Sequence, residues 1–256
     1  MQISFDCHVH TRRSACGEDI TDEWLFQQAA SGELCFAVTD HTMHLYYEPE
    51  IAWAMYGEGA IELFEARRES GRETIARYIE DLRRGGHPNL LVGVELDVLP
   101  DGQIMFAADL RAELDICLGA VHLLLSASRQ DSLQAVEAEQ HEQTLRLLEY
   151  GVDVLAHPFR TMLGDGYEVR EELIVWTVAQ AAAHGAALEV NGHKAYPERD
   201  VAMVRQCAAL GVRVACGSDA HHTREFGVFD YHRGIFAEAG LTDEQAEGLL
   251  FTPEQC

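Results

Sequence analysis

No stretch of the 256-residue sequence is apolar over the roughly 18–20 residues that a membrane-spanning helix needs. The N-terminus also lacks a basic region followed by a long apolar run, so no secretory leader is expected. Positive charge is scarce, with 19 Lys and Arg against 43 Asp and Glu and a formal net charge of −24. A chain so short of basic residues has no broad footprint for releasing counterions from nucleic acid or for meeting anionic headgroups, and neither extended nucleic acid nor membrane is expected as a partner. An anionic small molecule stays open, because bound divalent cations reverse the sign locally. Cys-x-x-Cys is absent. The seven cysteines (Cys7, Cys16, Cys35, Cys117, Cys207, Cys216 and Cys256) are odd in number and scattered, and read as reduced thiols of a cytoplasmic protein. Internal repeats, low-complexity segments and Pro/Ser-rich linkers are missing too, so nothing marks a boundary inside the chain.

What is present is an alternation of Val/Ile/Leu/Ala-rich segments with amphipathic stretches, the pattern of a β/α architecture. Strands are expected near residues 5–9, 34–39, 90–96, 116–121, 152–156, 187–190 and 212–216. Thr21 reads as the N-cap of a helix that stops near Gly32, and Gly85-Gly86 ends a long helical pattern over about 61–84. Further helices are expected over about 132–150, 169–184 and 198–210, with a last one opened by Thr242. Pro100-Asp101-Gly102 marks a turn onto residues 103–106. The connection of about 46–88 partly covers the sheet, and Tyr46, Tyr47, Trp53 and Tyr56 read as covering residues more than as pocket lining.

The polar residues supply the argument for function. In Phe5-Asp6-Cys7-His8-Val9-His10-Thr11 the two histidines stand at i and i+2 and share one side of a strand. Taken alone, that pair is better read as two partly buried strand histidines. But His8, His10, His41, His122, His157 and His221 all fall at or just beyond the C-terminal ends of expected strands, with Glu95 and Asp219. In β/α barrels that end carries the active site. Burying so many polar groups without a common partner is costly, and shared cations account for all of them. Glu95 is the natural bridge, since a carboxylate presents two oxygens. Asp219-x-His221 repeats the spacing of His8-x-His10, and the two pairs become neighbours if a barrel closes.

The motifs Asp6-x-His8-x-His10-Thr11, Thr39-Asp40-His41, Gly93-Val94-Glu95, Gly119-Ala120-Val121-His122, Ala156-His157-Pro158, Glu189-Val190-Asn191 and Gly217-Ser218-Asp219-Ala220-His221 resemble, in order, the signature of the PHP (polymerase and histidinol phosphatase) family. The resemblance implies an α/β fold, a distorted seven-stranded (β/α)7 TIM-like barrel, formed by residues 1–256 as a single domain. It also implies a site at the C-terminal ends of the strands for two or three divalent ions, of zinc, manganese or iron. By position, His8, His10, Glu95 and Asp219 would hold one ion, Glu95, His122 and His157 a second, and His41 and His221 a third. Family members often place another His or Asp after the first motif. This chain has Ser14-Ala15-Cys16-Gly17 there, so Cys16 is either a soft thiolate ligand or an inert thiol.

Such a site implies a hydrolase of phosphate esters working through a metal-bridging hydroxide, with a small phosphorylated metabolite as substrate and Asp219, His221 and Glu95 as catalytic residues. Arg160 is the expected phosphate clamp, with Lys194, Arg12, Arg13 and Arg233 as weaker candidates. His193 and His222 flank the site, while His44, His87, His141, His184 and His232 read as solvated. The alternatives are a phosphodiesterase or nuclease acting on short nucleotides and a metal-binding module without activity. An amidohydrolase-type barrel also begins with His-x-His, but it usually bridges its metals with lysine, where this chain offers Glu95.

Overall fold

The computed structural model describes residues 1–47, 49–52 and 60–256. Trp53 and Tyr56, expected to cover the barrel, lie outside the described residues. Seven strands, β1 (Phe5–Val9), β2 (Cys35–Val38), β3 (Leu90–Asp97), β4 (Ile116–Ala120), β5 (Val154–Leu155), β6 (Ala187–Asn191) and β7 (Val214–Gly217), form one sheet in sequential order. All six neighbouring pairs are parallel. Every strand residue is buried, which is why the strands read as continuous apolar runs and not as alternating ones.

The sheet curls into a nearly closed barrel. Val9 bridges to Ala220, the His10 N–H donates to the Ala220 carbonyl at 3.0 Å, and the Asp219 N–H donates to the His8 carbonyl at 2.8 Å. The first and last motifs of the chain are thereby joined by backbone. The register between β1 and β2 shifts between Asp6 and Val9. Below the shift Phe5 and Cys7 pack with Leu91, Ile116, Leu118 and Val154 in the barrel interior; above it His8 and His10 turn to the site. A bulge of this kind re-aims side chains at a barrel rim.

Helices follow the strands. α1 (Asp22–Ser31) is capped by the Thr21 hydroxyl, which accepts from the Trp24 N–H, and ends at Gly32 in the left-handed region. α2 (Thr42–Tyr46), α3 (Pro49–Ala52) and α4 (Ala60–Arg83) lie between β2 and β3. Tyr46 packs on Gly71 of α4, where a Cβ would overlap its ring, so both Tyr46 and Tyr47 are core residues. The turn after β3 is present as a single antiparallel bridge, Val98 to Ile104. α5 (Leu125–Ser128) and α6 (Leu133–Tyr150) follow β4, and α7 (Arg160–Gly164) and α8 (Glu171–His184) follow β5. α9 (Pro197–Leu210) follows β6, and α10 (Asp230–Glu238) and α11 (Asp243–Leu249) close the chain. The capping partner of Thr242 is Gln245. No helix among the described residues is long and apolar enough to cross a membrane.

One expectation is overturned. The cysteines are not all reduced thiols: Cys35 and Cys256, 221 positions apart in sequence, are joined by a disulfide with Cα atoms 5.8 Å apart. The tail is carried there by Phe251, whose N–H donates to the Val214 carbonyl at 2.8 Å. Cysteine spacing gives no sign of a pair that meets only after the barrel has closed. Cys7, Cys16, Cys117, Cys207 and Cys216 remain free.

Candidate metal centre

Glu95, on β3 and wholly buried, lies at the middle of the site. Its Oε1 is 2.8 Å from His157 Nε2 and 3.3 Å from His122 Nε2. Its Oε2 is 2.8 Å from His41 Nδ1, 3.3 Å from His8 Nε2 and 3.6 Å from His10 Nε2. The two oxygens thus face two separate groups of imidazoles. Asp219 stands opposite, with Oδ1 3.0 Å from His10 Nε2 and 3.7 Å from both His8 Nε2 and His221 Nδ1.

The hydrogen bonds of each ring fix which nitrogen is free to ligate. His8 Nδ1 donates to Glu189 Oε1 at 2.8 Å, leaving the Nε2 lone pair 3.1 Å from Nε2 of His10. His122 Nδ1 donates to Asp97 Oδ1 at 2.7 Å, leaving Nε2 toward Glu95. Asp97 is itself held by the Met43 N–H at 2.9 Å and the Thr42 hydroxyl at 3.1 Å. His221 Nδ1 donates to the carbonyl of Asp219 at 2.7 Å. Glu189 accepts a second bond through Oε2, from the His157 N–H at 2.8 Å. His157 and Asp219 have φ of 26° and 52°, in the region that costs non-glycine residues energy, and strain of this kind gathers at functional sites.

Charge follows the same arrangement. Burial pushes the Glu95 carboxyl up, but His41, His8 and His122 outweigh it and hold it well below its ordinary range. Asp219 is likewise held low against burial by His8 and Arg160. Burial, reinforced by Arg160, pulls His157 down to about 4, so its ring is neutral at neutral pH, as a metal-binding imidazole must be.

The donor set fits divalent cations. His41 Nδ1, Glu95 Oε2 and Asp219 Oδ1 are buried without a hydrogen-bond partner among the described residues, although His41 Nδ1 and Glu95 Oε2 are only 2.8 Å apart. Atoms so close yet out of hydrogen-bonding geometry are aimed at common points between them. His8 with His10 and Glu95, His8 with His157 and Asp219, and His10 with His41 and His221 each bring ligand atoms within 4.8 Å of one another. Imidazole and carboxylate donors together suit zinc, manganese or iron.

Of the expected substrate cations, Arg160 and Lys194 line a cleft of about 300 Å³ over the site with Cys16, His41, His122, His193, Asp219 and His221. Arg160 donates to Asp219 Oδ2 at 2.8 Å and to Asn191 Oδ1. Arg12 is exposed and donates to the Glu18 carbonyl at 2.9 Å, while Arg13 is paired with Asp22. Arg233 pairs with Asp230 and borders a crevice beside Met1, at the end of the barrel where the strands begin. Sequence reasoning gave no role to Glu189, Asp97, Ser14 or Asn191. The available signals were that Glu189 and Asp97 are acids within apolar strands and that Glu189 and Asn191 stand in the motif Glu189-Val190-Asn191. His44 and His232, expected to be solvated, are buried.

The PHP domain profile matches residues 6–193. The "DNA polymerase/3'-5' exonuclease PolX" of Bacillus subtilis is 25% identical over 223 residues, 86% of this chain but only 35% of that protein. A "Probable phosphatase" of Acetivibrio thermocellus is 24% identical over 251 residues, covering 95% of this chain and 90% of its own. One of Shewanella oneidensis is 26% identical over 237 residues, covering 90% and 81%. Among solved structures, histidinol phosphate phosphatase from Lactococcus lactis, complexed with zinc, L-histidinol and phosphate, aligns with a TM-score of 0.52 over 93% of this chain and 94% of that one, at 14% identity. That likeness is one of fold, and it agrees with the barrel expected from the motifs. With the profile covering most of the chain, from the first histidine pair to beyond β6, this protein belongs to the PHP domain family.

Proposed function

We propose that this protein is a metal-dependent phosphoesterase that removes the phosphoryl group from a small phosphorylated metabolite. The observation that carries the reading is Glu95, whose two oxygens face separate histidine groups beneath a cleft that also holds Arg160 and Lys194. His8, His10, Glu95 and Asp219 would hold one cation, Glu95, His122 and His157 a second, and His41 and His221 a third. When bound, such ions lower the pKa of water from near 16 to about 7 and neutralise phosphoryl oxygens.

The chain's own residues do the rest. Arg160 keeps a buried Nε–H that has no partner among the described residues, a donor ready for a phosphoryl oxygen. Its other contacts, to Asp219 and Asn191, fix the guanidinium plane, so little order is lost on binding. Lys194 adds a point charge at the rim of the cleft. Asp219, with Oδ1 unpartnered among the described residues, and His221, with Nδ1 held by the Asp219 carbonyl, would orient the attacking water. The match to a polymerase and exonuclease brings a second reading, hydrolysis of a short diester, which the net charge of −24 disfavours for long nucleic acid. A panel of phosphomonoesters and nucleotide diesters, assayed with zinc, manganese and iron on protein of measured metal content, separates the two. Monoesters are expected to turn over faster; faster diester cleavage would reverse the assignment.

A further inference from the structure

Cys16 stands in the cleft with no part in the chemistry above, yet the chain holds it there from both sides. The Ser14 hydroxyl accepts from the His41 N–H at 3.1 Å and donates to Asp40 Oδ1 at 2.6 Å, tying the start of the turn to β2. The Glu18 N–H donates to the His221 carbonyl at 3.0 Å, tying its end to the segment after β7. Between these anchors the Gly17 N–H closes onto the Ser14 carbonyl at 2.9 Å. Gly17 lies so close to the Thr11 carbonyl that any Cβ would overlap it. The turn is therefore built to bring its cysteine between His41 and His221.

The rings around the sulfur have distinct roles. Cys16 lies beside His41 and His221 in the cleft, with His44 close by. Cys16, His41 and His44 place ligand atoms within 4.8 Å of one another, as do His10, His41 and His221. His221 uses Nδ1 to donate to the Asp219 carbonyl, so its Nε2 carries a lone pair. His44 is the opposite case. Its Nδ1 accepts from the Ala15 N–H at 3.0 Å, which in a neutral imidazole puts the proton on Nε2. A protonated nitrogen cannot ligate, but it can donate to a thiolate. Three ligands and one supporting donor thus converge.

We infer that Cys16 binds a divalent cation as a thiolate together with His41 and His221, with the His44 Nε2–H donating to its sulfur. Binding releases the thiol proton to solvent and forms one metal–sulfur bond. A thiolate makes this position softer than the all-nitrogen-and-oxygen positions around Glu95, favouring zinc or cobalt over manganese. The inference rests on the metal-centre reading given above, and the experiment tells the two apart.

The full chain, stripped with a chelator, is titrated with Co2+ while absorption and bound metal are recorded. The expected result is a near-ultraviolet sulfur-to-cobalt charge-transfer band in the native protein, together with protection of Cys16 from alkylation as mapped by mass spectrometry. Cys16→Ser should lose the band and bind one equivalent less cobalt. Cys16→Asp should regain that equivalent without the band. Cobalt bound by the native protein with no such band, or with Cys16 still alkylated, overturns the thiolate and leaves the metal centre standing. No cobalt bound at all overturns the metal centre, and the thiolate with it. The spectrum and the alkylation are read on the unmutated protein, so the outcome does not depend on how the variants fold.

Discussion

At the scale of single residues, Glu189 is the position where sequence and structure part most clearly. His8 and His10 were legible because period-two alternation puts them on one side of a strand and because further histidines recur at strand ends. Glu189 stood in the Glu189-Val190-Asn191 motif, as an acid in an apolar strand, but without a role. Alternation cannot say whether such a carboxylate meets a metal, an imidazole or a backbone N–H. In the fold it does two jobs, accepting from His8 Nδ1 with one oxygen and from the His157 N–H with the other. A Gln has one oxygen and one NH2, so it can serve only one of those donors. Glu189→Gln is expected to weaken metal binding about 10–100-fold, as loss of a group that orients a ligand commonly does. Competition with a chromogenic chelator measures it, and unchanged affinity would mean that His8 is oriented by packing alone. His44 and His232 were misjudged for a similar reason: a single histidine in a helix carries no periodicity, and its burial is decided by a distant element.

The elements show how the site is assembled. The register shift in β1 and the backbone bonds of His10 and Asp219 to the opposite strand end close the barrel beneath the histidine and carboxylate cluster. The sequence could anticipate the strands, since each is a short apolar run ending in a polar residue. It passed over α10, whose nine residues mix apolar, charged and glycine positions. Yet α10 supplies a link between β6 and β7. His232, fully buried, directs Nε2–H to the carbonyls of Val190 at 3.0 Å and Gly217 at 3.1 Å. Its Nδ1 has no partner among the described residues, so a second proton there would place an uncompensated charge in the core.

Burial accordingly pulls His232 from its ordinary 6.5 down to about 4. Because the folded-state value is depressed, this stabilising contribution is complete above pH 6.5 and is lost as pH falls through 6.5 toward about 4. His232→Gln keeps a donor but has nothing to titrate. Its denaturation midpoint is expected to decline less than that of the native protein across that window. Parallel curves for the two proteins would show that the acid lability arises elsewhere.

At the scale of the whole molecule, the (β/α)7 barrel was legible because seven apolar strands alternate with amphipathic segments and their polar ends fall on one rim. The Cys35–Cys256 disulfide was not, because sequence separation hides a contact made only when the tail returns to the first strands. The excess of acidic residues gives the protein as a whole a negative field. On the proposed function, an anionic substrate would be drawn by local positive charge, from Arg160, Lys194 and any cations the site holds.

That dependence on metal is the central claim, and Asp219 is the residue at which to test it. Its backbone at φ 52° suits Asn, which tolerates the left-handed region, whereas His157→Ala would force alanine to φ 26° and confuse loss of a ligand with strain. The direct measurement is inorganic phosphate released from a phosphomonoester by chelator-stripped protein, by the same protein after zinc or manganese is restored, and by Asp219→Asn with the same metal added. Release is expected only from the metal-restored native protein, while circular dichroism shows the variant folded. Equal release by the stripped protein or by Asp219→Asn would contradict the account.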